Sequence, residues 1–389
     1  MKVLVTTDLY TTETNGVVTS VKNLVEVLTA LGHDVRILTI SDGPHSSRID
    51  NVYYVRSLPL GFIYPDVRMP TTYRSRQLKA LIDWKPDVIH SQCEFFTFQF
   101  AGYISKHTGA PIVHTYHTLY EQYVRYVLPF KGAGQKAVGR LSRLRLHKVS
   151  AIIAPTRKVE NVLRDYGITV PIRVIPSGIR LEQHRHRMTP KLRLKCRRDL
   201  GLTPDMPVLV SVGRVGNEKN LDELLRHFAE VSVDYPLLRF LIVGDGPARQ
   251  ELEKLAETLG VADKVIFTGM VPPCKVQDYY QLGDIFVCAS TSETQGLTYV
   301  EAIANGLPLL CRQDPCLDDV MDYGKNGFSF TNLESFRQGL DVILNDARWR
   351  KLAHIRSRQI AAGFGKETFG ASVEDVYRSV INTPVAERN

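Results

Sequence analysis

Glu293 and Glu301, eight residues apart, are the two side chains whose type and spacing best suit chemistry in this 389-residue chain. At about 3.6 residues per turn, that spacing brings two helical side chains to nearly one face. Gly296 falls between them, which predicts Glu293 on a loop and Glu301 two turns into the following helix, both turned to one crevice. The amides around Gly296, Leu297 and Thr298 would then form a helix N-terminus, a natural seat for phosphate or sugar oxygens. A buried carboxylate must be hydrogen-bonded, and sugar hydroxyls are suitable donors. The plainer alternative is a helix-start loop with Glu293 as a solvated cap.

Two more segments sit where a strand turns into a helix. Ser211 to Asn220 carries Gly213 and Gly216, which allow close backbone approach, together with Arg214 and Lys219. A guanidinium fork and an ammonium point charge suit a diphosphate; two solvated surface cations are the alternative. Val243-Gly244-Asp245-Gly246-Pro247 lacks the third glycine of a dinucleotide fingerprint and reads as a close turn. In the first half, His117 follows a strand, a place where a lone histidine usually serves structure. His184 and His186 are one residue apart, but in a basic connecting stretch they read as solvated. No Asp-x-Asp occurs anywhere, and no cysteine pair has the spacing of a zinc or redox site.

The elements that must position these residues alternate between short β runs and helical periods, which argues for parallel sheets covered on both faces. Strand Val3–Thr7, a loop through Gly16, a helix with Val18, Val21, Leu24, Val27, Leu28 and Leu31 at helical spacing, and strand Val35–Ile40 open the chain. Strands follow at 87–90, 112–114, 151–154 and 173–175. Residues 177–207 read as an exposed basic connection with one short helix. The alternation then restarts with strands at 208–212, 240–243, 265–268, 285–289 and 307–310. The fold class expected is α/β, as two Rossmann-like halves. No apolar run approaches the ~20 residues of a spanning helix, and the N-terminus reads as a buried strand rather than a signal peptide. Six scattered cysteines make no disulfide framework and suit a reduced, cytosolic setting.

Net charge is +8, and the excess lies in the first half, with 23 basic against 13 acidic residues over 1–180. Tyr120 to Lys148 concentrates it: Arg125, Lys131, Lys136, Arg140, Arg143, Arg145 and Lys148 stand against the single acid Glu121, interleaved with apolar residues. Such a segment suits an anionic membrane surface, nucleic acid, or simply a solvated helix face.

Taken together, these segments resemble the family-4 retaining glycosyltransferases. Ser292-Glu293-Thr294-Gln295-Gly296-Leu297 through Glu301 is similar to the family's paired-glutamate motif, Gly213-Arg214 with Lys219 to its Gly-Arg…Lys motif, and Val243–Pro247 to its glycine turn. Asn15-Gly16-Val17-Val18 resembles its glycine loop, and Thr115-Tyr116-His117-Thr118 its histidine element. The resemblance covers nearly the whole chain. It implies a GT-B architecture, two Rossmann-like domains facing each other across a cleft. Residues 1–180 would face acceptor and membrane, 181–365 would bind the nucleotide sugar, and a helix at about 366–389 would pack back on the first domain. It implies that His117 serves the donor sugar, Arg214 and Lys219 neutralise the leaving diphosphate, Glu293 binds sugar hydroxyls and Glu301 the ribose. Gly16, Gly213, Gly246, Gly296, Leu297 and Thr298 would complete the donor site. Catalysis would be metal-independent, without a cofactor, and retaining, by front-face attack. One departure is Arg180, where the family's Ile-Pro-x-Gly-Ile/Val-Asp turn has its aspartate.

The acceptor side is greasy and cationic. His90–Phe98, Gly61–Pro65 and the 120–148 segment add aromatic and basic surface, and Gly16–Val21 with Tyr64–Arg68 resemble the bacterial diacylglycerol α-glucosyltransferases. The expectation is a peripheral enzyme on the inner face of the cell membrane that moves glucose from UDP-glucose to a lipid such as diacylglycerol, with no nucleic-acid partner. Another sugar, a soluble or polyprenyl-linked glycan acceptor, or a non-catalytic nucleotide-sugar-binding module stay open. A dehydrogenase is disfavoured because no full Gly-x-Gly-x-x-Gly opens either half.

Overall fold

The computed structural model describes residues 1–10, 15–59, 68–72, 75–119 and 131–383. The chain divides into two compact units, one from Met1–Gly178 with Lys366–Asn389 and one from Ile179–Gly365.

The first unit is built on strands β1 (Lys2–Thr6), β2 (Asp34–Ile40), β3 (Ser47–Ile49), β4 (Val52–Val55), β5 (Ser57–Pro59), β6 (Arg68–Pro70), β7 (Val88–Ser91), β8 (Ile112–Thr115), β9 (Ala151–Ala154) and β10 (Ile172–Val174). Its main sheet runs β10-β9-β8-β7-β1-β2-β4-β3, parallel except for β3, which pairs antiparallel with β4; β5 and β6 form a separate ribbon. Val3, Leu4 and Val5 are all fully buried. Such unbroken apolar runs are the mark of a strand covered on both faces, and each face has its own core. Leu4, Ile89 and Ile152 point to one; Val3, Val5, Val113 and Ile153 point to the other.

The second face is closed by the first and last helices of the unit. Helix Gly16–Ala30 is capped by Asn15, whose side chain accepts from the Val18 amide at 2.8 Å. Its Val21, Leu24 and Leu28 share one cluster with Phe369, Val373 and Tyr377 of helix Lys366–Asn382. Lys366 Nζ donates to Glu26 at 2.6 Å. Beneath them, the buried His90 ring is bonded at Nδ1 to the Tyr377 hydroxyl (2.6 Å) and at Nε2 to Thr115 (2.7 Å).

The second unit carries β11 (Val208–Val212), β12 (Arg239–Val243), β13 (Val265–Phe267), β14 (Ile285–Cys288), β15 (Leu309–Arg312) and β16 (Gly327–Phe330) in the order β13-β12-β11-β14-β15-β16, all parallel. The chain winds one way from β11 and then the other from β14. The loops leaving those two adjacent strands therefore diverge, and a ligand crevice is expected at that switch point. In the first unit β1 and β7 stand in the same relation.

Three expectations need correction. The stretch 177–207 holds two helices, Leu181–Arg185 and Pro190–Asp199, and is not simply exposed. Arg197 is 1% exposed, and its guanidinium donates to the carbonyls of Leu282 and Thr203. A basic run read as solvated here hides one arginine held by backbone carbonyls and paired with Asp284 at 3.5 Å. The strand expected at 307–310 begins at Leu309, because Leu307 instead donates to the Ala302 carbonyl to close the preceding helix. The strands β3 to β6 and β16 have no counterpart among the expected strands. No helix among the described residues is long and apolar enough to cross a membrane.

Gly370 packs against the first helix: a Cβ there would lie 2.3 Å from Val27 Cγ1. Gly370→Leu should lower stability by about 1–3 kcal/mol through overpacking, read as a lower urea midpoint. Gly363→Ala, with open space around it, should change it little; equal effects would contradict this packing.

Candidate functional site

The loops after β11 and β14 meet through a charged pair. Lys219 Nζ lies 2.6 Å from Glu293 Oε1. Burial works against the ammonium, yet the adjacent carboxylate outweighs it and holds the lysine above its ordinary value. Backbone and hydroxyl contacts fix the two loops around the pair. Asn220 Nδ2 donates to the Ala289 carbonyl at 3.1 Å, and the Ser292 hydroxyl to the Glu218 carbonyl at 3.2 Å. The Cys316 thiol donates to the Glu293 carbonyl at 2.9 Å. Ser211, Gly213, Lys219, Cys288, Glu293 and Thr298 border a cavity of about 20 Å³ beside the pair. Arg214 stands exposed on the same loop.

The glycines of this region answer mainly to protein backbone. Gly244 has φ +133°, and a Cβ there would fall 1.9 Å from the Gly213 carbonyl oxygen. At Gly246 a Cβ would fall 2.4 Å from the Val215 carbonyl oxygen. The two loops are zipped by Gly213 N to Val243 O and Val215 N to Asp245 O, both 2.9 Å. The turn Val243–Pro247 thus buttresses the Gly213–Lys219 loop from behind, which is reason enough for its glycines.

Gly296 adopts φ +72°, and a Cβ there would strike the Tyr299 ring at 2.4 Å. It opens the helix Leu297–Ala304, whose first residues are Leu297 and Thr298. Glu293 precedes the helix and Glu301 lies inside it, as the spacing predicted. Tyr280, a fully buried residue that sequence reasoning passed over, donates its hydroxyl to Glu301 Oε2 at 2.7 Å. Burial pushes Glu301 up to about 7, partly offset by that hydrogen bond. Nothing in the spacing of Tyr280 marks this role; only the hydrogen bond from helix Val276–Leu282 to the glutamate helix reveals it.

In the first unit, His117 follows β8 and its Nε2 lies 2.7 Å from Gln92 Oε1, on the loop after β7. Burial and the neighbouring His114 lower it to about 3, so the ring is neutral at physiological pH. In the sequence Gln92 is only one residue of the aromatic run His90–Phe98. Half-buried Asp8, after β1, accepts from the Thr97 amide at 2.8 Å and so caps helix Phe96–Thr108 from another segment. Gly16 is the exposed first residue of its helix.

The basic segment is partly a helix, Lys131–Leu146. Lys131 and Lys136 stand in its first half; Arg125 and the segments 61–65 and 64–67 lie outside the described residues. Leu141 and Leu144 are 49% and 57% exposed beside exposed Arg140, Arg143 and Lys148. Arg145 departs from the expected surface set. It is part-buried and donates to the Glu94 carbonyl at 2.5 Å.

Two family models match the chain: Glycosyltransferase Family 4 over residues 14–183 and Glycosyl transferases group 1 over 193–360. The alpha-monoglucosyldiacylglycerol synthase of Streptococcus pneumoniae is 32% identical over 98% of this chain and 86% of its own length. The enzyme of the same name from Acholeplasma laidlawii is 30% identical over 98% of each. Among solved structures, Anabaena HepE in complex with UDP-glucose aligns with a TM-score of 0.75 and 18% identity, over 97% of this chain and 100% of that one; this likeness supports the GT-B fold.

Glu301 should titrate near pH 7 in the unliganded protein, followed by the carboxyl carbon shift in NMR. Tyr280→Phe, which removes a hydrogen bond that favours the carboxylate, should move the midpoint higher. A wild-type midpoint near the ordinary 4.5 would contradict this environment.

Proposed function

The chain belongs to the family-4 glycosyltransferases, and from that premise we propose that it transfers glucose from UDP-glucose to diacylglycerol, with retention at the anomeric carbon. The observation that carries this reading is the match to two alpha-monoglucosyldiacylglycerol synthases along almost the whole chain, together with the charged pair at the β11/β14 switch point.

Each residue then has a chemical task. The diphosphate brings negative charge to a loop that already holds Arg214 and Lys219. The cations stabilise the charge that grows as the bond from C1 to phosphate breaks. The Lys219 ammonium has three donors, so it can bind a phosphate oxygen while it still restrains Glu293. Glu293, fixed by that contact, accepts from hydroxyls of the glucosyl group. Glu301 accepts from the ribose hydroxyls, and its ionised form does so better. The amides of Leu297 and Thr298 add donors for phosphate at the helix N-terminus, and Gly16 and Gly213 allow close approach. His117, neutral and oriented by Gln92, serves as a hydrogen-bonding partner for the sugar. The acceptor hydroxyl oxygen bonds to C1 on the face the diphosphate leaves, and its proton passes to the departing phosphate oxygen. This route needs no metal ion, since protein cations hold the leaving group.

Diacylglycerol resides in a membrane, so the protein must reach one. We assign this task to the Lys131–Leu146 helix, where exposed leucines lie beside exposed arginines. Each basic residue near an anionic surface contributes about 1 kcal/mol. The protein would work peripherally on the cytoplasmic face.

Glu293→Gln and Lys219→Ala should each cut glucosyl transfer to diacylglycerol in vesicles by about a hundredfold or more, the scale of losing one preorganised charge contact. Near-wild-type rates in folded variants would refute the donor-site assignment. Arg140→Ser, Arg143→Ser and Lys148→Ser combined should weaken binding to phosphatidylglycerol-containing vesicles, most visibly at low salt. Unchanged vesicle binding would remove this helix from the membrane contact.

A further inference from the structure

A larger cavity, about 220 Å³, lies within the second unit between the Leu181–Arg185 helix and the ends of two others, Leu297–Ala304 and Ala347–Ala361. Its polar lining is made of His184, Arg185, Arg187 and Arg358, over an apolar floor that includes Leu181 and Ala361. No carboxylate is part of that lining.

The histidine's protonation can be read from its neighbour. Asn305 Nδ2 donates to the Glu301 carbonyl at 2.9 Å, which fixes that atom as the amide nitrogen, and it also lies 2.9 Å from His184 Nδ1. His184 Nδ1 is therefore the acceptor, and the ring proton is on Nε2. Burial lowers the ring to about 4, against the opposing pull of Glu182, so it stays neutral and keeps this tautomer. Arg358 donates to the Asn305 carbonyl at 3.1 Å and holds its guanidinium beside Gly306. Arg185 and Arg187 are exposed at the rim and pair with no carboxylate among the described residues.

The lining thus offers N–H donors and positive charge and no acceptor side chain. We propose that this cavity binds a phosphate oxyanion, held by Arg185, Arg187 and Arg358 with the His184 Nε2–H. Guanidinium forks match the paired oxygens of phosphate better than a point cation does. The volume is several times the ~30 Å³ share of a water molecule, which leaves room for a phosphate and part of an ester group. The anion belongs to a free phosphate compound or to a phospholipid headgroup; both present the same oxygens. This site is separate from the donor pair and does not rest on the proposed transfer. It does touch the same helix, since Asn305 joins His184 to the carbonyl of Glu301.

The test titrates inorganic phosphate, and separately monomeric short-chain phosphatidylglycerol, into the full chain at constant ionic strength by calorimetry. Wild type is compared with Arg185→Ala/Arg187→Ala and with Lys219→Ala. Saturable phosphate binding that weakens about tenfold or more in the arginine variant, and is kept in Lys219→Ala, supports the site with a soluble phosphate as ligand. The same pattern with the lipid alone supports it with a headgroup as ligand. Binding that is lost only in Lys219→Ala places the anion at the donor loops and overturns the proposal. Binding of neither probe, or equal binding by wild type and the arginine variant, also overturns it.

Discussion

The contact between Lys219 and Glu293 is the constraint around which the second unit is arranged. Desolvating two charges is costly, and such a pair is weak grounds for stability by itself. Its value is positional. It ties the loop after β11 to the loop after β14 at the place where the parallel sheet reverses its winding. The supporting parts follow from that need: Gly244 and Gly246 let the neighbouring turn approach the first loop, Gly296 lets the second loop turn tightly into its helix, and Cys316 holds the Glu293 backbone. A phosphate anion arriving at Lys219 meets a cation already in place, whose charge Glu293 has kept despite burial.

The first unit applies a similar principle with neutral groups. Gln92 and His117 come from the loops after β7 and β8, and the layer below them, His90 with Tyr377 and Thr115, is saturated with hydrogen bonds at both ring nitrogens. The last helix of the chain thus supports the sheet beneath His117. Where the Lys131–Leu146 helix ends, Arg145 turns inward while Leu141 and Leu144 face out. One basic segment therefore serves both anchorage and exposure.

Much of this was legible in the sequence because its signals are local. Continuous apolar runs marked the central strands, and glycine with helical spacing placed Glu293 on a loop and Glu301 in a helix. The rest depends on partners far away in the chain. Tyr280 and Gln92 carry no spacing signal, since their importance comes from one oxygen each, set 2.7 Å from Glu301 and from His117. Arg197 looks solvated among basic neighbours and is buried, where backbone carbonyls 6 and 85 residues away accept from its guanidinium and Asp284 balances its charge at 3.5 Å. His184 looked like an unremarkable residue of a basic linker, and its tautomer is fixed by Asn305, 121 residues on.

The central claim concerns one bond, from C1 of glucose to a lipid oxygen, made on the face the phosphate leaves. The most direct measurement is to incubate the full chain with UDP-glucose and anionic vesicles that contain diacylglycerol, extract the lipid, and read the anomeric proton coupling by NMR. The account predicts a glucosyl diacylglycerol with the small coupling of an α linkage. A β-linked lipid would contradict the retaining mechanism, and glucose found only in the aqueous phase would contradict the lipid acceptor.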